Sequence, residues 1–170
     1  VINVKNRSHA ITADIEVTER GGGVIVAQGG AFGGWSLYVV DGELRYCYNL
    51  LGLQRFTIAA TSVLPAGRQQ VRVEFVADGP GLGIGGTATL YREGEAIGSG
   101  RVDATIPLLF SGDETLDIGV DAGTAVSPDY PGRGNELDGQ VHWVLIEVDE
   151  LDEDHLIDPA ERLRVIMARQ

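Results

Sequence analysis

Cysteine is all but missing from this chain. Cys47 stands alone among 170 residues, which excludes an intrachain disulfide. A disulfide-free chain leans toward a reducing compartment, so the cytoplasm is the expected location. Histidine is almost as scarce, and His9, His142 and His155 lie far from one another and from Cys47, which excludes zinc-ligand spacing. Cations are few: 13 Lys and Arg face 25 Asp and Glu, a net charge of −12. Such a field repels phosphate backbones, and no basic cluster with interleaved aromatics offsets it, so nucleic acid and anionic membranes are excluded as partners. No apolar run approaches the ~20 residues of a membrane-spanning helix, and no signal-peptide pattern is present. The chain opens on Val1 rather than Met, which reads as an excised or processed piece.

What is present is a glycine-punctuated run of short strands. Apolar residues make up 44% of the chain and mean hydropathy is +0.03, which suits one globular domain with a sizeable core. The 24 glycines follow no collagen-like period and fall between apolar runs. Strands are predicted over 10–17, 24–28, 35–40, 43–50, 55–61, 70–77, 86–92, 100–105, 116–121 and 139–148. Asp41-Gly42 suits a type I′ hairpin turn, because both central residues need positive φ; Glu93-Gly94 reads the same way. In the fourth strand, Arg45, Cys47 and Asn49 share one face and Tyr46 and Tyr48 the other. In the last, Val141, Trp143, Leu145 and Glu147 are expected to share a face. The fold class is therefore all-β, a two-sheet jelly-roll-like sandwich over 1–152. A change of period marks 153–170: Asp158 caps, Pro159 takes the first helical position, and Ala160, Leu163, Ile166 and Met167 form the apolar stripe of a short helix. This helix is expected to pack on the sandwich or on a neighbouring domain. The segment 128–135 reads as an exposed loop.

Candidate chemistry is sparse. Gly81-Leu82-Gly83-Ile84-Gly85-Gly86 matches G-x-G-x-x-G by letter, but a strand rather than a helix follows, so it reads as a loop feeding a hairpin. Glu147 and Asp149 sit two residues apart on a strand, the placement a sandwich glycosidase needs, and a retaining mechanism would require their carboxyls ~5 Å apart. The competing reading is a solvated acidic strand end. Asp113, Asp117 and Asp121 surround a strand and its following loop and are candidate calcium ligands, against the plainer reading of an acidic rim. A sugar-binding surface would use exposed aromatics beside polar side chains, for which Trp35, Tyr38, Tyr48, Asn49 and Arg55 are the candidates, Tyr46 being a further aromatic of the same hairpin. The competing reading is that these aromatics fill the core.

Several strings add a family resemblance. GVIVAQGGAFGGWSLYV (23–39), YNLLGLQRFTI (48–58), LPAG (64–67), GGTATLY (85–91) and FSGDETLDIGVDAGTAVSPDY (110–130) resemble the C-terminal region of large bacterial arylsulfatases, as do the opening NRSHAITA and the closing HLIDPAERLRVIMARQ. The resemblance spans nearly the whole chain. It implies an accessory sandwich of the concanavalin A-like lectin and glucanase type, packed on the N-terminal sulfatase catalytic domain of a longer parent that hydrolyses sulfate esters. The family's formylglycine motif C/S-x-P-x-R is missing, since Cys47 precedes Tyr48-Asn49-Leu50-Leu51. No catalytic residue carries over, and no cofactor is implied for this chain beyond the calcium weighed above. Two functions are thus expected to compete: a non-catalytic sulfatase accessory domain, and a carbohydrate-binding module with glycan as its partner.

Overall fold

The computed structural model describes residues 3–110, 115–151 and 153–161. Ten strands run in the order β1 (His9–Val17), β2 (Gly23–Gly30), β3 (Gly33–Val40), β4 (Glu43–Leu50), β5 (Gln54–Val63), β6 (Gly67–Ala77), β7 (Ile84–Arg92), β8 (Glu95–Ala104), β9 (Leu116–Ile118) and β10 (Gly139–Val148). They form two antiparallel five-stranded sheets, β10-β1-β6-β7-β8 and β5-β4-β3-β2-β9. Both expected hairpin turns have two successive residues at positive φ: Asp41 and Gly42 at 48° and 80°, Glu93 and Gly94 at 48° and 80°. The strand expected over 100–105 is part of the longer β8, Glu95–Ala104, and the strand expected over 116–121 ends at Ile118.

The core lies between the sheets. Ile11, Ala13 and Ile15 of β1, Val71, Val73 and Phe75 of β6, and Leu90 of β7 meet Trp35, Leu37, Leu44, Tyr46, Tyr48 and Ile58 of the second sheet. Along one side, β5 and β8 approach across the sandwich, and there a Cβ on Gly98 would sit 2.5 Å from the Ala59 carbonyl oxygen. Only glycine allows that closure.

Strand β10 departs from simple alternation. Asp14 pairs with Trp143 but Ile15 pairs with Val141, so His142 is the extra residue of a bulge. Val141 therefore joins Val144, Ile146 and Val148 against the core, while Trp143, Leu145 and Glu147 turn to the outer face. On that face Arg72, 1% exposed, donates to Glu74 at 2.7 Å, to Thr12 at 2.7 Å and to Glu147. The chain after β10 crosses the same face: His155 contacts Glu74 at 2.6 Å and stacks on Tyr91, and Gln70 exchanges two hydrogen bonds with the Ile157 backbone. Asp158 then caps a helical start at 159–161, accepting from the Ala160 amide at 2.8 Å. Leu163, Ile166 and Met167 lie outside the described residues.

His9 packs against Phe75 at the edge of the core, with Nδ1 3.1 Å from the Arg7 carbonyl. Burial pushes its pKa down to about 4 from 6.5, against the raising effect of that hydrogen bond. The folded state thus holds the ring neutral while the unfolded chain takes a proton below about 6.5. Stability is full above that value and is lost as pH falls toward 4, by about 3 kcal/mol in the limit. Urea unfolding at stepped pH should show wild type losing that much more than His9→Gln between pH 7 and 4; equal slopes would remove His9 as the cause.

Candidate functional site

The outer face of the β5-β4-β3-β2-β9 sheet carries the site. Ser36 and Tyr38 of β3 and Arg45, Cys47 and Asn49 of β4 point to this side, and the chain between β9 and β10 folds over them. The segment 128–135 is the expected exposed loop at six of its eight residues, but it buries Tyr130 and Asn135. Val126 and Tyr130 join Val24, Ala27, Tyr38 and Cys47 in a second apolar cluster. Asp121 ties the covering segment together by accepting from the Val126 amide at 3.0 Å and from the Tyr130 hydroxyl at 2.6 Å, while Asn135 donates to the Asp121 carbonyl at 3.0 Å. The Tyr38 hydroxyl contacts Ser127 and Asp129 at 2.9 and 2.6 Å, and Arg45 bridges Asp129 at 3.0 Å and Glu43 at 2.7 Å. Burial raises the pKa of Tyr38, Tyr130 and the Cys47 thiol, so none of them ionises near neutrality.

Asn49 organises the open end of this face. Its Nδ2 lies 3.0, 3.1 and 3.2 Å from the carbonyls of Gly30, Ala31 and Val126, and its Oδ1 accepts from the Gly52 amide at 2.8 Å. One buried amide thus joins the β2–β3 turn, the β4–β5 turn and the covering segment. The Ala31 amide also donates to Thr124 at 2.8 Å. A Cβ at Gly52 would stand 2.8 Å from the Ala31 carbonyl oxygen, and Gly52 has φ +73°, so this close approach depends on glycine. On the rim so formed, Phe32 is 74% exposed. The Arg55 Nε donates to the same Val126 carbonyl at 3.3 Å, and Arg55 and Thr57 are both exposed on β5.

The residues expected to bind sugar divide sharply. Trp35 is fully buried, its Nε1 donating to Gln28 at 3.1 Å, because β3 turns it into the core. Tyr48 is likewise inward, its hydroxyl accepting from the Ile106 amide at 2.9 Å, and burial raises its pKa to about 12. Tyr38 faces outward but lies beneath the covering segment, edge-on to Tyr130 at 5.0 Å. None of the three offers a ring face to a ligand. Asn49 is a buried organiser, and Arg55 alone of that set reaches solvent. Phe32 escaped the sequence reading, although a large aromatic between two glycine pairs has no strand face to bury itself in.

The acidic candidates do not converge. Asp113 lies outside the described residues. Asp117 accepts from Thr115 at 3.2 Å and from the Ala122 amide at 3.0 Å, and Asp121 is committed to the covering segment. Among the described residues no group of three His, Cys, Asp or Glu side chains is placed to hold a metal. Glu147 is buried against Arg72, whereas Asp149 lies past the end of β10 at φ 70° and pairs with Arg7 at 3.3 Å. That left-handed residue breaks the alternation on which the expected glycosidase pair depended.

The same end of the sandwich is apolar. Phe32, Leu51, Leu53, Leu108 and Leu109 are 48–87% exposed. Their turns are neighbours: Ile106 packs under Gly33, and the Gly33 Cβ position lies 3.7 Å from the Leu51 amide.

No family model matches the sequence, and no curated protein matches it. Solved structures match the fold. CBM40 of the Ruminococcus gnavus IT-sialidase, bound to α2,3-sialyllactose, superposes with a TM-score of 0.61 at 16% identity, covering 89% of this chain and 82% of that one. Domains LG4-5 of the mouse laminin α1 chain give 0.57 at 16% identity; the match takes in 90% of this chain but only 38% of that one. A SAP-like pentraxin from Limulus polyphemus gives 0.51 at 18% identity, over 88% and 67% of the two chains. At these identities the likeness is one of fold, and the fold is a lectin-like jelly-roll sandwich.

Proposed function

We propose that this chain is a non-catalytic carbohydrate-binding domain whose ligand lies on the rim formed by Phe32, Arg55 and Thr57. The observation that carries the reading is Phe32: an aromatic ring 74% exposed, on a turn held by the buried amide of Asn49, which shares the Val126 carbonyl with Arg55. Sugars are recognised by an aromatic face against their C–H groups together with hydrogen-bond donors at the ring edge, and a preset platform binds without ordering cost. Support also comes from the superposition on CBM40, which covers most of both chains. A glycan array probed with the purified domain should give discrete hits. Phe32→Ala should weaken each by about tenfold or more while leaving the melting temperature within the small range usual for surface changes. Loss of nothing on Phe32→Ala would move the site elsewhere; an array without hits would reject the reading.

A second reading draws on the apolar end. Leu51, Leu53, Leu108 and Leu109 form a patch of the kind that marks contact with another protein surface. In this reading the domain packs on a neighbour, the catalytic domain of an arylsulfatase on the resemblance given above. The two readings make opposite demands on Phe32, which must be open for sugar and covered in a domain interface.

A further inference from the structure

We infer that the saccharide taken at this rim is anionic, its carboxylate or sulfate held by Arg55; this rests on the carbohydrate-binding reading. Carboxylates outnumber cations about two to one in the chain, and Arg7, Arg45, Arg68, Arg72 and Arg101 each have a carboxylate partner. Arg55 does not: among the described residues no carboxylate lies within ion-pair distance of it. Arg92 donates to Gln69, and Arg20 and Arg133 sit in loops, so Arg55 is the arginine that lies on a sheet face, fixed by a backbone carbonyl and left without an acid. Its Nε is spent on Val126, which leaves the two Nη groups at the tip of the guanidinium, and Arg55 is exposed. A planar fork of that kind matches a carboxylate or sulfate with two parallel hydrogen bonds, and a neutral hydroxyl uses only part of it. Thr57, two residues along the same strand face, has its hydroxyl against the Cys47 thiol. The net charge of −12 opposes an anion at long range, but screening confines that effect to about 8 Å at physiological salt, inside which the guanidinium dominates.

The test is an array carrying neutral, carboxylated and sulfated oligosaccharides, probed with wild type, Arg55→Gln, Arg55→Lys and Phe32→Ala. Hits should concentrate on acidic members, and the carboxylated and sulfated arms identify which acid is taken. Arg55→Gln should lose about tenfold or more on acidic glycans with an unchanged melting temperature, and Arg55→Lys, which keeps the charge without the fork, should fall between. Phe32→Ala should weaken acidic and neutral members alike. Neutral glycans bound as tightly as acidic ones, or acidic binding kept by Arg55→Gln, would overturn the inference and leave the carbohydrate reading standing. An array without any hit overturns both.

Discussion

Arg72→Ala should cost the fold about 3–5 kcal/mol, one of the two largest effects expected of a single substitution here. Arg72 is 1% exposed, and Glu74 and Glu147 beside it are each 6% exposed. Removing the guanidinium leaves two buried carboxylates, Glu74 beside His155 and Glu147 on β10, stripped of the cation that both of them share. For a domain of this size that corresponds to a drop in Tm of roughly 10 °C or more. Chemical unfolding followed by tryptophan fluorescence would measure it, since Trp35 is fully buried. The decisive comparison is a triple variant, Arg72→Met with Glu74→Leu and Glu147→Leu. Replacing a whole buried ion cluster by apolar groups is often neutral or stabilising, because the desolvation of all three charges is removed together. The single variant should therefore be far less stable than the triple. If the two lose equally, the cost comes from packing volume and not from orphaned charge.

That cluster also explains why Glu147 is no catalytic acid. A general acid needs access to substrate, whereas Glu147 is 6% exposed and held by Arg72. The carboxylate that looked most like chemistry in the sequence is a buried ion-pair partner of Arg72 on the sheet's outer face.

The legible and illegible parts of this chain separate on physical grounds. Turn chemistry is local, so Asp41-Gly42 and Glu93-Gly94 could be placed from residue type alone. Period-2 alternation within one unbroken strand is equally local, and it put Tyr46 and Tyr48 opposite Cys47 correctly. It failed on β10 because a bulge inserts one residue without any mark in the hydrophobic pattern, and Val141 and Trp143 parted company there. The covering segment was illegible for another reason. Whether an outer sheet face is open depends on where a distant stretch of chain returns, and no residue of β3 or β4 encodes that 121–135 comes back over Tyr38. The rim was half legible: Asn49 and Arg55 stood out as polar residues among aromatic strands, but Phe32, in no strand, was not among the candidates.

Asn49→Asp is the sharper test of that rim, with an expected cost above about 3 kcal/mol. The orientation of the Asn49 amide is fixed by its surroundings, because three carbonyl oxygens face Nδ2 and one N–H faces Oδ1. Aspartate keeps the acceptor for Gly52 but turns two donor hydrogens into oxygen lone pairs opposed to the carbonyls of Gly30, Ala31 and Val126. Asn49→Ala only deletes the side chain, so its cost should be smaller, about 1–3 kcal/mol. Both should free the Phe32 turn from the Val126 segment and so abolish glycan capture at temperatures where the domain is still folded, a loss that exposed Phe32 or Arg55 variants reach without any change in stability. Acidification separates the causes. Once protonated, the introduced carboxyl regains one donor, so the gap in stability between Asn49→Asp and Asn49→Ala should narrow as pH falls from neutrality and be closed by about pH 4, the pKa of the unfolded carboxyl. A gap independent of pH would mean that size, and not the missing donors, sets the cost, and Asn49 would then be filling space at the rim where the geometry has it tying three chain segments together.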